Sequence, residues 1–279
     1  MLHISRSRLI KGLALGLSAT LVLAACGGGE SEPTATEEPG AAPSESAGGT
    51  LSVATEPAFP PFESQSESGE LEGFDIDLME AIGEEAGLEV EFESLPFDGI
   101  IPALQAGTVD AAISAMTITE EREETVDFSQ PYFKAGLAIA VRDEAAEEIT
   151  SLEDLEDKRI AVQIGTTGAE KAAEIPGAEL TTFDSAPLAL QELSNGNVDA
   201  VINDAPVTLD AIASGNLDGL TVVGELLTEE YYGIALPSES ENVEAVNEAL
   251  NTLIENGTYA EIYRKWFDAE PPELPESAL

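Results

Sequence analysis

The chain reads as an α/β protein of two similarly built lobes, each a mostly parallel sheet flanked by helices. Three observations lead there. Strand-like and helix-like segments alternate from residue 50 onward, the rhythm of parallel strands joined by right-handed crossovers. One segment occurs twice: Gly107-Thr-Val-Asp-Ala-Ala-Ile113 returns as Gly196-Asn-Val-Asp-Ala-Val-Ile202, each after a helical stretch containing Leu-Gln (Leu104-Gln105, Leu190-Gln191). Both copies then turn polar. The first runs through Ser114–Thr117 to Arg122, and the second into Asn203-Asp204. Ligands of open α/β sheets bind beyond the carboxyl ends of strands. An arginine there offers a planar fork to a carboxylate, and an aspartate offers an anion to an ammonium. A molecule carrying both charges is the backbone end of a free amino acid.

Taken in order, Met1–Ala25 has a basic start (Arg6, Arg8, Lys11) and an apolar run, Gly12–Ala25, too short for a comfortable membrane span. That is the pattern of an export signal, and it closes on Leu23-Ala-Ala-Cys26. Gly27–Gly49 is Gly, Ser, Pro, Thr, Glu and Ala with no large apolar residue, a composition expected to form a disordered acidic linker. Thr50–Thr55 reads as a strand and Glu56–Phe62 as a proline-rich loop. Asp75–Ala86 is a helix on Ile76, Leu78, Met79 and Ile82, and the alternating Leu88–Phe92 a strand with one wet face. Phe97–Ala106 is a short helix and Val109–Ser114 the next strand. Gly136–Val141 reads as a strand passing from one lobe to the other. Ser151-Leu-Glu-Asp carries a helix-start signature. Ile160–Gln163, Leu180–Phe183, Val198–Ile202 and Leu220–Val223 are strands of the second lobe, and Tyr231–Leu236 a strand returning to the first. Asn242–Glu255 is an amphipathic helix with Val243, Val246, Leu250, Leu253 and Ile254 inward. Tyr259–Phe267 is a last helix, in which Trp266 reads as a core anchor.

Composition narrows the function. The chain has 55 acids against 11 lysines and arginines. Such a surface repels nucleic acid and anionic lipid and suits a high-salt habitat, where counterions screen self-repulsion. The single histidine is His3 and the single cysteine Cys26, both outside the folded body. Ser-His-Asp and Cys-His catalysis, histidine metal sites and internal disulfides are thereby excluded. An acid-only metal site or a carboxylate-pair enzyme stays open. The glycine pair of Gly165-Thr-Thr-Gly168 lacks the Gly-Lys-Ser/Thr of a phosphate loop.

Four stretches carry a family resemblance: Glu56-Pro-Ala-Phe-Pro-Pro-Phe-Glu63, Gly73-Phe-Asp-Ile-Asp-Leu78, Ala112-Ile-Ser-Ala-Met-Thr-Ile-Thr-Glu-Glu-Arg122 and Asn256-Gly-Thr-Tyr-Ala-Glu-Ile-Tyr-Arg-Lys-Trp-Phe267. In this order they resemble the polar amino-acid-binding proteins of bacterial ABC importers, solute-binding protein family 3, from about Thr50 to Phe267. Leu23–Cys26 resembles the bacterial lipobox, whose cysteine is lipidated. The resemblance implies a type II periplasmic-binding-protein-like fold, its lobes joined by two crossing hinge strands. The expected organisation is a lipoprotein signal peptide over 1–25, a linker over 26–49, a discontinuous first lobe over 50–134 and 232–270, a second lobe over 135–231, and a tail over 271–279. It further implies a monomer without cofactor or metal, lipid-anchored on the outer face of the cytoplasmic membrane. That protein would deliver an amino acid to a permease and its ATPase.

Site residues follow from the resemblance position by position. Arg122 matches the carboxylate-binding arginine, Thr117 a hydroxyl that meets the ligand's backbone groups, and Ala115 a carbonyl that accepts from its ammonium. Thr167 matches a position meeting the carboxylate at a helix start, and Asp204 the acid that takes the ammonium. Phe59 and Phe97 match aromatic walls, and Glu56, Ser114 and Gln163 positions that read the ligand side chain. Relatives that bind glutamine carry lysine where Gln163 stands. Glu56 is therefore left without a cationic partner, which implies a basic ligand (arginine, lysine or ornithine) ahead of glutamine. A dehydratase on the same fold is the enzymatic alternative.

Overall fold

The computed structural model describes residues 49–215 and 217–279. The expected signal peptide, Cys26 and the linker through residue 48 lie outside the described residues. Two five-stranded sheets organise the rest. In the first, β5 (Glu89–Ser94), β1 (Thr50–Thr55), β6 (Ala111–Ala112), β15 (Ala235–Pro237) and β7 (Val126–Phe128) lie side by side in that order. In the second the order is β11 (Glu179–Phe183), β10 (Arg159–Gln163), β12 (Ala200–Asp204), β9 (Leu137–Arg142) and β13 (Leu220–Val223). The first three strands of each run parallel. In the second sheet β9 alone runs against them and β13 runs with them again, and in the first β15 runs against both its neighbours.

The repeated segment supplies the middle strand of both sheets. Its aspartate has one task in both copies: Asp110 Oδ2 accepts from the Ser52 N–H at 3.0 Å, and Asp199 Oδ2 from the Arg159 N–H at 3.0 Å. Each carboxylate thus ties the start of the middle strand to its neighbour. Only two residues of the first copy pair as strand, because the chain turns polar and leaves the sheet at Ser114.

Some local expectations give way. Glu56–Phe62 is not all loop: β2 (Ala58–Phe59) joins β3 (Glu63–Gln65) and β4 (Leu71–Glu72) in a small antiparallel sheet. Ser151 begins a single 3-10 turn, Leu152–Leu155, closed by a reciprocal capping box with Asp154. Tyr231–Leu236 is two strands, β14 (Glu230–Tyr232) and β15, parted at Gly233-Ile234.

Among the described residues eight α-helices cover the sheets: α1 (Phe74–Ala86), α2 (Phe97–Gln105), α3 (Glu120–Glu123), α4 (Thr167–Ala173), α5 (Ala186–Ser194), α6 (Ala205–Ala213), α7 (Asn242–Asn256) and α8 (Thr258–Phe267). Helix α1 buries Ile76, Leu78, Met79 and Ile82, and with them Asp75. Helix α7 turns Val246, Leu250 and Leu253 inward, whereas Ile254 is 42% exposed. A heptad-like stripe drifts around a 3.6-residue helix, so the final apolar residue has rotated off the core face. Trp266 packs against the core and donates from Nε1 to Asp77 Oδ2 at 2.7 Å. This bond pins α8 to α1.

Two chain crossings connect the sheets, and they form a ribbon of their own. β8 (Phe133–Ala135) pairs antiparallel with β14, with Phe133 opposite Tyr232 and their rings stacked at 5.6 Å. Just past β8, Gly136 lets the strands approach: a Cβ there would lie 2.3 Å from the Thr228 carbonyl oxygen. We expect Gly136→Ala to cost about 1–3 kcal/mol by forcing the crossing segments apart. Chemical denaturation would register the loss, and an unchanged midpoint would mean that the crossing tolerates the methyl.

Candidate functional site

One pocket collects the carboxyl ends of the strands. Phe59 comes from β2, Phe97 from the start of α2, and Ser114, Ala115 and Thr117 from the chain leaving β6. Arg122 comes from α3, Gln163 from the end of β10, Thr166 and Thr167 from the start of α4, and Asp204 from the end of β12. Nine of the ten residues named from the sequence therefore share one small space. The tenth, Glu56, stands directly behind it, where its carboxylate accepts from Gln163 Nε2 at 2.7 Å.

Arg122 is held by the protein's own groups. The Thr119 side chain caps α3 by accepting from the Arg122 N–H at 3.2 Å. The guanidinium donates through Nη1 to the Thr117 carbonyl at 2.6 Å and through Nη2 to the Gly165 carbonyl at 3.0 Å. Phe97 lies under it, 5.5 Å from Cζ to the ring centroid, within cation–π range. Gly165 has φ +77, and a Cβ there would come within 3.2 Å of Asp98. The bare backbone lets this loop of the second sheet reach the arginine of the first.

Ser114 and Ala115 rest on two acids, Glu63 and Asp75, that lie in the family-like stretches but were given no role from the sequence. The Ser114 hydroxyl donates to Glu63 Oε1 at 2.9 Å and accepts from the Glu56 N–H at 3.0 Å. Ala115 adopts φ +44, and its N–H donates to Asp75 Oδ2 at 2.7 Å. Tyr132 donates its hydroxyl to the same oxygen at 2.7 Å. Glu63 and Asp75 are both fully buried, and Glu63 Oε2 and Asp75 Oδ1 receive no other donor. Two carboxyls so placed cannot both ionise. Burial, then Asp75, lifts Glu63 well above the usual carboxylate range, which favours its protonated form. Burial raises Asp75 to about 6, offset by donors from Ala115 and Tyr132.

The pocket's own acids are shifted in the same direction. Burial raises Glu56 to about 7 against the bond from Gln163, and Asp98 nearby adds to the rise. Burial raises Asp204 to about 7 although Tyr232 donates its hydroxyl to Oδ2. Asp204 occupies the N-cap position of α6 but makes no side-chain capping bond. Its carboxylate is turned to the cleft instead.

The largest omission from the sequence reading is Glu230. It is 8% exposed, and its carboxylate accepts three hydroxyls: Thr117 at 2.8 Å, Thr167 at 3.0 Å and Thr228 at 2.9 Å. It follows another glutamate in an acidic chain, and no local signal separates the buried acid from its solvated neighbour. Thr166 was also missed; it caps α4 by accepting from the Ala169 N–H at 3.1 Å. The Thr-Thr pair before a helical run was its only trace. Among the described residues no group of three or more His, Cys, Asp or Glu is placed to hold a metal ion.

A model of the bacterial extracellular solute-binding proteins, family 3, matches residues 51–269. The chain belongs to that family. Among its relatives, a probable histidine-binding protein of Neisseria gonorrhoeae is 35% identical over 263 residues, covering 92% of this chain and 94% of that protein. Among solved structures, an ancestral arginine-binding protein bound to arginine superposes with a TM-score of 0.75 at 47% identity, covering 78% of this chain and 98% of that one. The arginine-, lysine-, histidine-binding protein ArtJ of Geobacillus stearothermophilus gives 0.76 at 39% identity, with coverages of 80% and 96%. The type II fold expected from the sequence is therefore the fold of this solute-binding protein.

The raised acids give the solute-binding protein a pH signature. A carboxyl whose value is raised by folding holds its proton more tightly in the folded chain. Its contribution is complete below the unfolded value near 4 and is lost as pH rises through the folded value. With Glu56 and Asp204 at about 7 and Asp75 at about 6, stability without ligand should fall between about pH 5 and 7. Urea unfolding at fixed ionic strength measures this. Glu56→Gln should flatten the slope, and an unaltered slope in that variant would contradict the assignment.

Proposed function

We propose that the protein is the substrate-binding component of an ABC importer, and that it captures a free basic amino acid, arginine, lysine or ornithine, between its two sheets. The observation that carries the basic preference is the set of acceptors at the side-chain end of the pocket. Glu56 is buried with only an amide as donor. Gln163 Oε1 beside it is buried and accepts nothing. Among the residues lining the pocket the single cation is Arg122, whose nitrogens face the other end. A guanidinium or ammonium would satisfy both acceptors and neutralise Glu56. Phe59 and Phe97 would flank its stem. At the backbone end, Arg122 and the first N–H groups of α4 suit a carboxylate, while Asp204 and the Ala115 carbonyl suit an ammonium.

The relatives support the reading, since one solved structure is an arginine-bound protein and another is described as binding arginine, lysine and histidine. In this proposal the ligand leaves unchanged and passes to the permease and ATPase complex, with no cofactor and no catalysis. The protein acts as a monomer, tethered through a lipid on Cys26 and residues 26–49 outside the cytoplasmic membrane. Residues 50–134 and 232–270 form one lobe and 135–231 the other.

Calorimetric titration with arginine, lysine, ornithine, histidine, glutamine and glutamate tests the reading. The basic ligands should bind tightest and glutamate weakest, and Glu56→Gln should narrow the range. Glutamine or glutamate binding at least about tenfold tighter than arginine and lysine would overturn the basic preference and leave amino-acid capture standing. Recovery of altered ligand would point to the enzymatic alternative.

Arg122→Ala should cost on the order of 2–5 kcal/mol of binding, because it leaves a carboxylate buried without its partner. The thermal transition of the unliganded variant should persist. Near-native affinity with an intact transition would mean that the carboxylate is received elsewhere.

A further inference from the structure

Glu230 belongs to the crossing ribbon, yet its carboxylate is bonded to two threonines that line the ligand pocket. The three hydroxyls it accepts come from three places. Thr117 follows the middle strand of the first sheet, Thr167 opens α4 on the second, and Thr228 lies on the crossing segment itself. Thr117 is tied to that segment in its own right: it bridges Tyr232, and the Ile118 N–H donates to the Tyr231 carbonyl at 2.8 Å. Thr228 holds the other side, accepting from the Leu137 N–H at 2.9 Å where the second sheet begins. Thr167 alone is carried to Glu230 by a separate element.

We propose that Glu230 is a positioning residue that clasps the two sheets over the ligand. The geometry gives it two effects. Its Oε2 gathers Thr117 and Thr167 onto one atom, so bringing the sheets together completes the contact. It also commits both hydroxyl protons. A threonine hydroxyl has one proton to give, so Thr117 and Thr167 present only lone pairs to the pocket. Lone pairs beside Asp204 and the Ala115 carbonyl serve an ammonium and repel a carboxylate. The clasp therefore sets which way round the amino acid lies, its carboxylate left to Arg122. In this proposal the Thr167 backbone N–H stays with the carboxylate while its hydroxyl is committed to Glu230. This inference rests on an amino acid being the ligand.

The test uses stopped-flow and calorimetric binding of arginine to wild type, Glu230→Gln, Glu230→Ala and Thr167→Val, with small-angle scattering of each without ligand. Glu230→Ala should release arginine about tenfold faster or more, the scale of a lost charge-assisted hydrogen bond, with little change in association rate. Its unliganded form should be more extended than wild type. Glu230→Gln, which keeps the shape but can hand a proton back to one hydroxyl, should fall between. Thr167→Val combined with Glu230→Ala should lose less than the product of the two single losses, because both remove the bond between these residues. A Glu230→Ala variant within twofold of wild type in release, or losses that multiply in the double variant, would overturn the clasp. A wild type that binds arginine weakly and another amino acid tightly would overturn the ligand preference instead, and the same comparison with that amino acid would decide the clasp.

Discussion

Among the described residues five acids are buried, Glu56, Glu63, Asp75, Asp204 and Glu230, against a single arginine, Arg122. Most of the site follows from how these acids are accommodated without counterions. Hydroxyls and amides take the place of cations: Ser114 on Glu63, Tyr132 and the Ala115 N–H on Asp75, Tyr232 on Asp204, three threonines on Glu230, and Gln163 on Glu56. A neutral donor offsets less of a carboxylate's desolvation than a cation does. The values of Glu56, Asp75 and Asp204 are therefore raised rather than lowered. The surface behaves differently. There Asp199, held by Arg159, lies below the ordinary aspartate value.

These donors also define the shape of the pocket. Asp75 holds the Ala115 N–H, which fixes the left-handed turn by which the chain leaves β6. That turn aims Ser114, the Ala115 carbonyl and Thr117 at one space. The buried acid pair thus acts as a footing for the pocket rather than as part of its lining. Tyr132 and Tyr232 donate from the crossing ribbon and its approach to Asp75 and Asp204. The ribbon therefore supports the site and its footing through tyrosines as well as through Glu230.

The architecture was legible in the sequence because it is repetitive. The Gly-x-Val-Asp-Ala motif marks the middle strand of each sheet, and its aspartate serves one bond in both. The pocket was legible where residue type and motif agreed, as at Arg122, Thr117 and Asp204. What escaped notice shares one cause. In a chain with 55 acids, a buried glutamate looks like its solvated neighbours, and only the tertiary fold separates Glu230 from Glu229, which is exposed and paired with Lys134. Strand direction escaped for a related reason. β9 is apolar on the pattern of a buried strand whichever way it runs, so its reversal in the second sheet left no mark. Ile254 erred in the other direction, an apolar residue on a helix stripe that solvent receives.

Under the proposed function, closure and ligand capture are one equilibrium. The contacts that bring the sheets together, Arg122 to Gly165, Gln163 to Glu56 and Thr167 to Glu230, involve the side chains that would meet the ligand. Each has a cost when the pocket lacks compensating charge, because Glu56 and Asp204 must then stay buried beside neutral donors. A ligand with an ammonium at one end and a cationic side chain at the other removes that cost only where both sheets surround it. Its affinity for the closed form then exceeds its affinity for either sheet alone, and such a difference is what lets a ligand shift a conformational equilibrium. Under the proposed function, the uncompensated acids are therefore the source of both selectivity and closure. A pocket with a lysine beside Glu56 would give up part of each.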